Sequence, residues 1–73
     1  MTLAELRALP PGFRWSSGRK ESLIRAILKA ELTPAQACAE FDLSREEIGG
    51  WVRRFRAHGR QGLEIYKLQA IRA

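Results

Sequence analysis

Thr33-Pro34-Ala35-Gln36 and Ser44-Arg45-Glu46-Glu47 are two helix-start signals whose capping residues stand eleven positions apart. In each, a hydroxyl accepts from the backbone N–H three residues on, and a Gln or Glu side chain reaches back to the cap's own N–H. Pro34 adds a third cue, because the first helical position is where a missing N–H is no loss. A helix begun there has room for about two turns before the chain must reverse and begin again. It runs to about Phe41 and carries Ala37, Cys38 and Phe41 inward. Asp42-Leu43 leaves only a tight turn, and Asp reaches left-handed backbone more readily than most residues. The helix begun at Arg45 extends over about residues 45–58, with Ile48, Trp51, Val52 and Phe55 at the i, i+3, i+4, i+7 spacing of a core face. Gly59 closes it, with Arg56 and His58 in its last turn, where the helix dipole favours positive charge. Two short helices joined this tightly make a helix-turn-helix unit. Ala37-Cys38 supply small residues at the crossing, Leu43 plugs the turn, Ser44 caps the second helix, and Ile48, Trp51 and Phe55 anchor its inner face.

Upstream, Thr2 and Glu5 stand at capping-box spacing and begin a short helix or turn that Pro10-Pro11-Gly12 stops. Phe13 and Trp15 follow as apolar rings that plug one end of the core. Ser16 and Ser17 are candidate caps of a first long helix, roughly residues 18–30. Leu23, Ile24, Ile27 and Leu28 form its apolar face, and Glu21, Arg25 and Lys29 lie on another. Leu63 to Ala73 suits either a short helix or an extended segment, and we read it as helix. The 73 residues therefore make one all-α domain with a three-helix core, homeodomain-like or Trp-repressor-like. Its parts are a lead-in over 1–15, a helical core over 16–60 and a tail over 61–73.

A formal charge of +5 and a pI near 10.4 direct attention to polyanionic or acidic partners. The distribution is more informative than the total. Residues 1–30 carry +4, residues 31–50 carry −4 and residues 51–73 carry +5. On the third helix, Arg45, Gly49, Arg53, Arg56 and Arg60 fall within roughly an 80° arc if the helix continues that far. That arc is a plausible phosphate track, joined by Arg14, Arg19 and Lys20 at the start of the first long helix. The base-reading half of such a helix is its N-terminal half, and here it offers Arg45, Glu46, Gly49 and Gly50. Glu40, Asp42, Glu46 and Glu47 would lie near phosphates and oppose counterion release. Two classes stay open on these residues: a DNA-binding regulator with basic flanks, and an adaptor that binds protein alone.

Other chemistry has little to stand on. Cys38 is the single thiol and serves as a core residue, which also fits a reducing cytoplasmic setting. His58 has no second imidazole with which to ligate metal, and Glu46-Glu47 are not an acid–base pair. Gly59-Arg60-Gln61-Gly62 lacks the Lys-Ser/Thr and strand context of a phosphate loop. We expect no enzyme activity, no cofactor, no metal and no membrane span. High DNA specificity would call for a homodimer or a co-bound regulator.

Leu9-Pro10-Pro11, Arg14-Trp15, Arg19-Lys20, Ala37-Cys38, Leu43, Trp51, His58-Gly59 and Gly62-Leu63 together resemble the small CtrA-inhibitory protein (SciP) family of alphaproteobacteria. The similarity covers nearly the whole chain from Thr2 and is ungapped from Arg14 to Arg72. It implies a helix-turn-helix regulator that represses genes under the response regulator CtrA, through the regulator, promoter DNA or both. The chain departs from the family in its short lead-in and in Glu64-Ile65-Tyr66 before Lys67, as a shortened member or paralogue would. Insertion-sequence transposases carry a related helix-turn-helix ending in Trp and a Gly-Leu pair, which makes a DNA-binding module of that kind the further alternative.

Overall fold

A computed structural model describes residues 1–64. Its helices are α1 (Leu3–Arg7), α2 (Ser17–Leu28), α3 (Pro34–Phe41) and α4 (Arg45–His58), followed by a 3₁₀ turn over Gly59–Leu63. All regular structure among the described residues is helical, as the sequence pattern requires. The 3₁₀ turn ends at Leu63, where a further helix was expected to begin, and all of that expectation beyond Glu64 lies outside the described residues.

Each helix begins where its capping chemistry is strongest. Thr33 Oγ1 accepts from the Gln36 N–H at 3.1 Å, and Gln36 Oε1 accepts in return from the Thr33 N–H at 2.7 Å. The Ser44–Glu47 pair repeats this at 3.0 Å in both directions. Thr2 and Glu5 do the same for α1, while Ser16 Oγ caps α2 through the Arg19 N–H. Satisfying these otherwise orphaned N–H groups contributes about 1 kcal/mol per cap.

Two non-glycine residues occupy left-handed backbone, and each ends a helix. Asp42, at φ 55°, turns the chain from α3 toward α4, as its position in the tight turn predicts. Ala30, at φ 60°, closes α2: its N–H reaches the Ile27 carbonyl at 3.0 Å, and the Glu31 N–H reaches that of Ala26 at 2.9 Å. This paired closure normally recruits Gly. Ala pays a steric penalty there because its Cβ crowds the following carbonyl.

The core draws on every element. Leu6, Leu23, Ile24 and Leu63 are its largest fully enclosed side chains, and Leu3, Ala26, Leu32, Ala37, Ile48 and Trp51 complete it. Leu3, Leu6 and Leu63 show that the lead-in and the segment after α4 are structural lids. Ile27, Phe41, Leu43, Val52 and Phe55 pack against this cluster from its margin.

Three expectations need correction. Leu28 is 45% exposed because its direction lies about 140° from that of Leu23, beyond the edge of the buried arc. Cys38 is only half-buried, and the enclosed small residue at the crossing is Ala37. Phe55 belongs to the core margin rather than its centre, with the Arg25 guanidinium 5.2 Å from its ring.

Gly62 is fixed by close approach. A Cβ there would overlap the Arg54 carbonyl oxygen and lie 2.8 Å from its carbonyl carbon, so the 3₁₀ turn could not seat against α4. Two Gly/Ala exchanges should therefore act with opposite signs in thermal or urea unfolding. Gly62→Ala should destabilise by about 1–3 kcal/mol, the usual range for forced overpacking. Ala30→Gly should stabilise by about 0.5–1 kcal/mol, because relief of left-handed strain exceeds the added freedom of the unfolded chain.

Candidate nucleic-acid interface

The tertiary structure sorts the cations into neutralised and available groups. Arg7 makes a two-pronged contact with Glu40, Nε to Oε2 at 2.6 Å and Nη2 to Oε1 at 3.1 Å, tying α1 to α3. Glu21 accepts from Arg25 Nε at 2.8 Å and from Arg60 Nε at 2.6 Å, joining α2 to the 3₁₀ turn. Arg60 is thus removed from the row expected on the third predicted helix. That helix, α4, ends at His58, and Gly59 at φ 65° swings the chain toward α2.

Arg45, Arg53 and Arg56 remain on α4 as exposed residues and make no ion pair among the described residues. Their helix begins at the Ser44 cap and is held by buried Ile48 and Trp51, so the row is presented from a rigid element. Leu43, half-buried in the turn before α4, packs against the hydrophobic core.

At the start of α2, Arg19 Nη1 donates to the Arg14 carbonyl at 2.8 Å, and its guanidinium lies 5.5 Å from the Phe13 ring centre. Arg14 itself is exposed. Lys20 is held more firmly. Its Nζ lies 5.1 Å from the Trp51 ring centre and 3.4 Å from the Leu63 carbonyl oxygen, to which it donates. Burial, and secondarily the nearby Arg54 charge, push the Lys20 ammonium below its usual range, while Glu47 opposes that shift.

Trp15, Lys20, Arg45, Glu46, Glu47, Gly49, Gly50, Trp51, Arg53 and Arg54 line one open trough between the start of α2 and α4, so that four cations share it with two carboxylates. Lys20, Arg45 and Arg53 are brought together there, whereas Arg14, Arg19, Arg56 and Arg60 are not part of its lining. Arg54 is the residue that sequence reasoning missed. It stands three residues after Trp51, at the border of the apolar face, and half-burial on the α2 side gives it a role in the trough. Its signal was available in the Gly50–Arg54 spacing: with no Cβ at Gly50, an arginine four residues on can lie back across the helix.

This surface can attract and hold an extended polyanion, with point charges from α2 and planar guanidinium groups from α4. Among the described residues, no three His, Cys, Asp or Glu side chains gather as metal ligands, and no helix is long and apolar enough to cross a membrane.

The sequence profile of the family described as "Protein of unknown function (DUF1153)" matches residues 1–72, and the chain belongs to that family. No curated protein and no solved structure matches the chain.

The Glu21 network makes stability pH-dependent. Hydrogen bonds from Arg60, and then from Arg25, hold the Glu21 carboxyl below its ordinary value of 4.5. A depressed folded-state pKa adds stability that is fully present above the unfolded value and is lost as pH falls through the folded one. Glu21→Gln should cost about 1 kcal/mol at neutral pH, allowing for solvent screening of the two exposed arginines. It should also flatten the acid limb of the stability curve below about pH 4.5. Urea unfolding of both proteins from pH 7 to pH 3 checks this, with the two curves converging toward acid.

Proposed function

We propose that this member of the DUF1153 family is a transcriptional regulator that uses α3 and α4 as a helix-turn-helix on double-stranded DNA. Its resemblance to the small CtrA-inhibitory family points to a response-regulator transcription factor as the accompanying partner in the cytoplasm. The observation that carries the reading is the trough: Lys20, Arg45, Arg53 and Arg54, from two helices, line one surface without an ion pair among the described residues. Glu46 and Glu47 line the same trough and offset part of this charge, but four cations against two carboxylates leave it positive, and a polyanion would relieve the remaining repulsion. The three arginines that do find carboxylates, Arg7, Arg25 and Arg60, lie outside this trough.

A second reading is favoured by the first turns of α4. Glu46, Glu47, Gly49 and Gly50 leave Arg45 as the one long basic side chain where base edges are normally read. In that reading the domain is an adaptor for a response regulator and selects no promoter by itself.

The two readings separate in a salt series of duplex binding. As a DNA-binding domain, Arg53→Ala and Arg56→Ala should each weaken binding alike on promoter and scrambled duplexes and reduce the salt slope by about one. Arg60→Ala should leave the slope unchanged, its charge being engaged by Glu21. Glu46→Gln should strengthen binding modestly by removing an exposed opposing charge. As an adaptor, the arginine variants would impair association with the regulator, and the parent would bind DNA poorly at any salt concentration.

A further inference from the structure

Gly49 and Gly50 stand together in the middle of α4, where each weakens the helix relative to alanine. No positive φ requires glycine at either position, and neither ideal Cβ meets backbone from another element. What lies over them is charge. The Cβ position of Gly49 is 3.8 Å from Arg53 Nη1, and that of Gly50 is 3.2 Å from Arg54 Nη1 and 3.9 Å from Arg53 Nη2. Both guanidinium groups, four residues on, fold back over the bare backbone. Lys20 enters the same trough from α2, its ammonium 5.1 Å from the Trp51 ring centre.

We infer that Lys20, Arg53 and Arg54, above the Gly49-Gly50 backbone, form a seat for a single phosphate of the DNA backbone. The inference rests on the DNA-binding reading and specifies the contact it uses. Three cations converge from two helices, and the two missing methyl groups let the Arg53 and Arg54 guanidinium groups lie back against the helix, with their donors gathered beside Lys20. The guanidinium groups supply paired planar donors, and the lysine a compact point charge. Burial first, and then the Arg54 charge, lower the affinity of Lys20 for its proton, with Glu47 opposing, which agrees with a lysine partly withdrawn from water beside a second cation. Of the two carboxylates that also line the trough, Glu47 is tied through Oε1 to the Ser44 N–H, and Glu46 is exposed on the first turn. Neither ion-pairs with the three cations. A phosphate seated here would set the depth and register of α4 against the duplex without reading sequence.

The double variant Gly49→Ala/Gly50→Ala tests the seat, since its methyl groups push the Arg53 and Arg54 guanidinium groups off the helix surface while favouring the helix. It should melt at or above the parent temperature and bind a short duplex about tenfold more weakly, the equivalent of one charge-assisted hydrogen bond. Inorganic phosphate titrated against chloride at constant ionic strength should shift the Lys20, Gly49 and Gly50 amide resonances of the parent in a saturable way. The same titration should leave the double variant unshifted. Lys20→Gln, which keeps a donor for the Leu63 carbonyl, should lose about one unit of the salt slope. A folded double variant whose duplex affinity stays within about twofold of the parent, or a Lys20→Gln slope equal to the parent's, would overturn the seat while leaving the DNA-binding reading intact. A parent domain that binds no duplex at any salt concentration would instead overturn that reading, and the seat with it.

Discussion

The packing of Trp51 against Trp15 is the contact on which the remaining geometry depends. The rings lie 5.2 Å apart between centroids, and Trp15 continues the chain of aromatic contacts to Phe13 at 4.7 Å and Phe41 at 5.7 Å. One aromatic run thereby links the segment before α2, the end of α3 and the middle of α4. Tilted and edge-on pairs of this kind each add about 0.5–1.5 kcal/mol beyond the area they bury. That is substantial for a chain of 73 residues, in which a single small core must offset the ordering of the backbone. Lys20 lies over the far partner of the same pair, so the contact that closes the core also fixes a cation at its rim.

Charge is distributed by the fold and not by position in the chain. Arg53 and Arg60 both fall on the arc expected for one helix face, yet only Arg53 stays on it. A single left-handed glycine at position 59 sends Arg60 to Glu21. Glu21 sits next to Lys20, so the carboxylate serves the arginines of α2 and the 3₁₀ turn rather than those of α4. The basic surface that results is smaller than the count of arginines suggests, and it is better defined. A trough shared by α2 and α4 replaces a stripe along one helix.

The turns show how little freedom such a chain retains. Asp42 and Ala30 hold left-handed backbone without being glycine, while Gly49 and Gly50 occupy helical positions that suit other residues better. At Asp42 a short polar side chain tolerates the conformation. At Ala30 the paired hydrogen bonds of the closing turn outweigh the strain. At the glycine pair it is the close approach of the Arg53 and Arg54 guanidinium groups, and not backbone conformation, that the missing side chains permit, which is why we connect the pair with a ligand.

Helix starts were legible in the sequence because capping is settled within four residues. Thr2, Ser16, Thr33 and Ser44 each cap the helix that follows, and Asp42 takes the left-handed turn its chemistry allows. The inner positions of Leu23, Ile24, Ile48 and Trp51 were equally legible, since helical periodicity is a local property. Everything that depended on a second element was not. Burial of Leu3, Leu6 and Leu63, the fuller enclosure of Ala37 than of Cys38 at the crossing and recruitment of Arg54 all follow from which helix lies against which. By itself the sequence determined where the helices begin and which residues each turns inward. Only the tertiary structure decided which cations meet carboxylates and which converge in a trough, because ion pairs such as Arg7–Glu40 and Glu21–Arg60 join residues more than thirty positions apart.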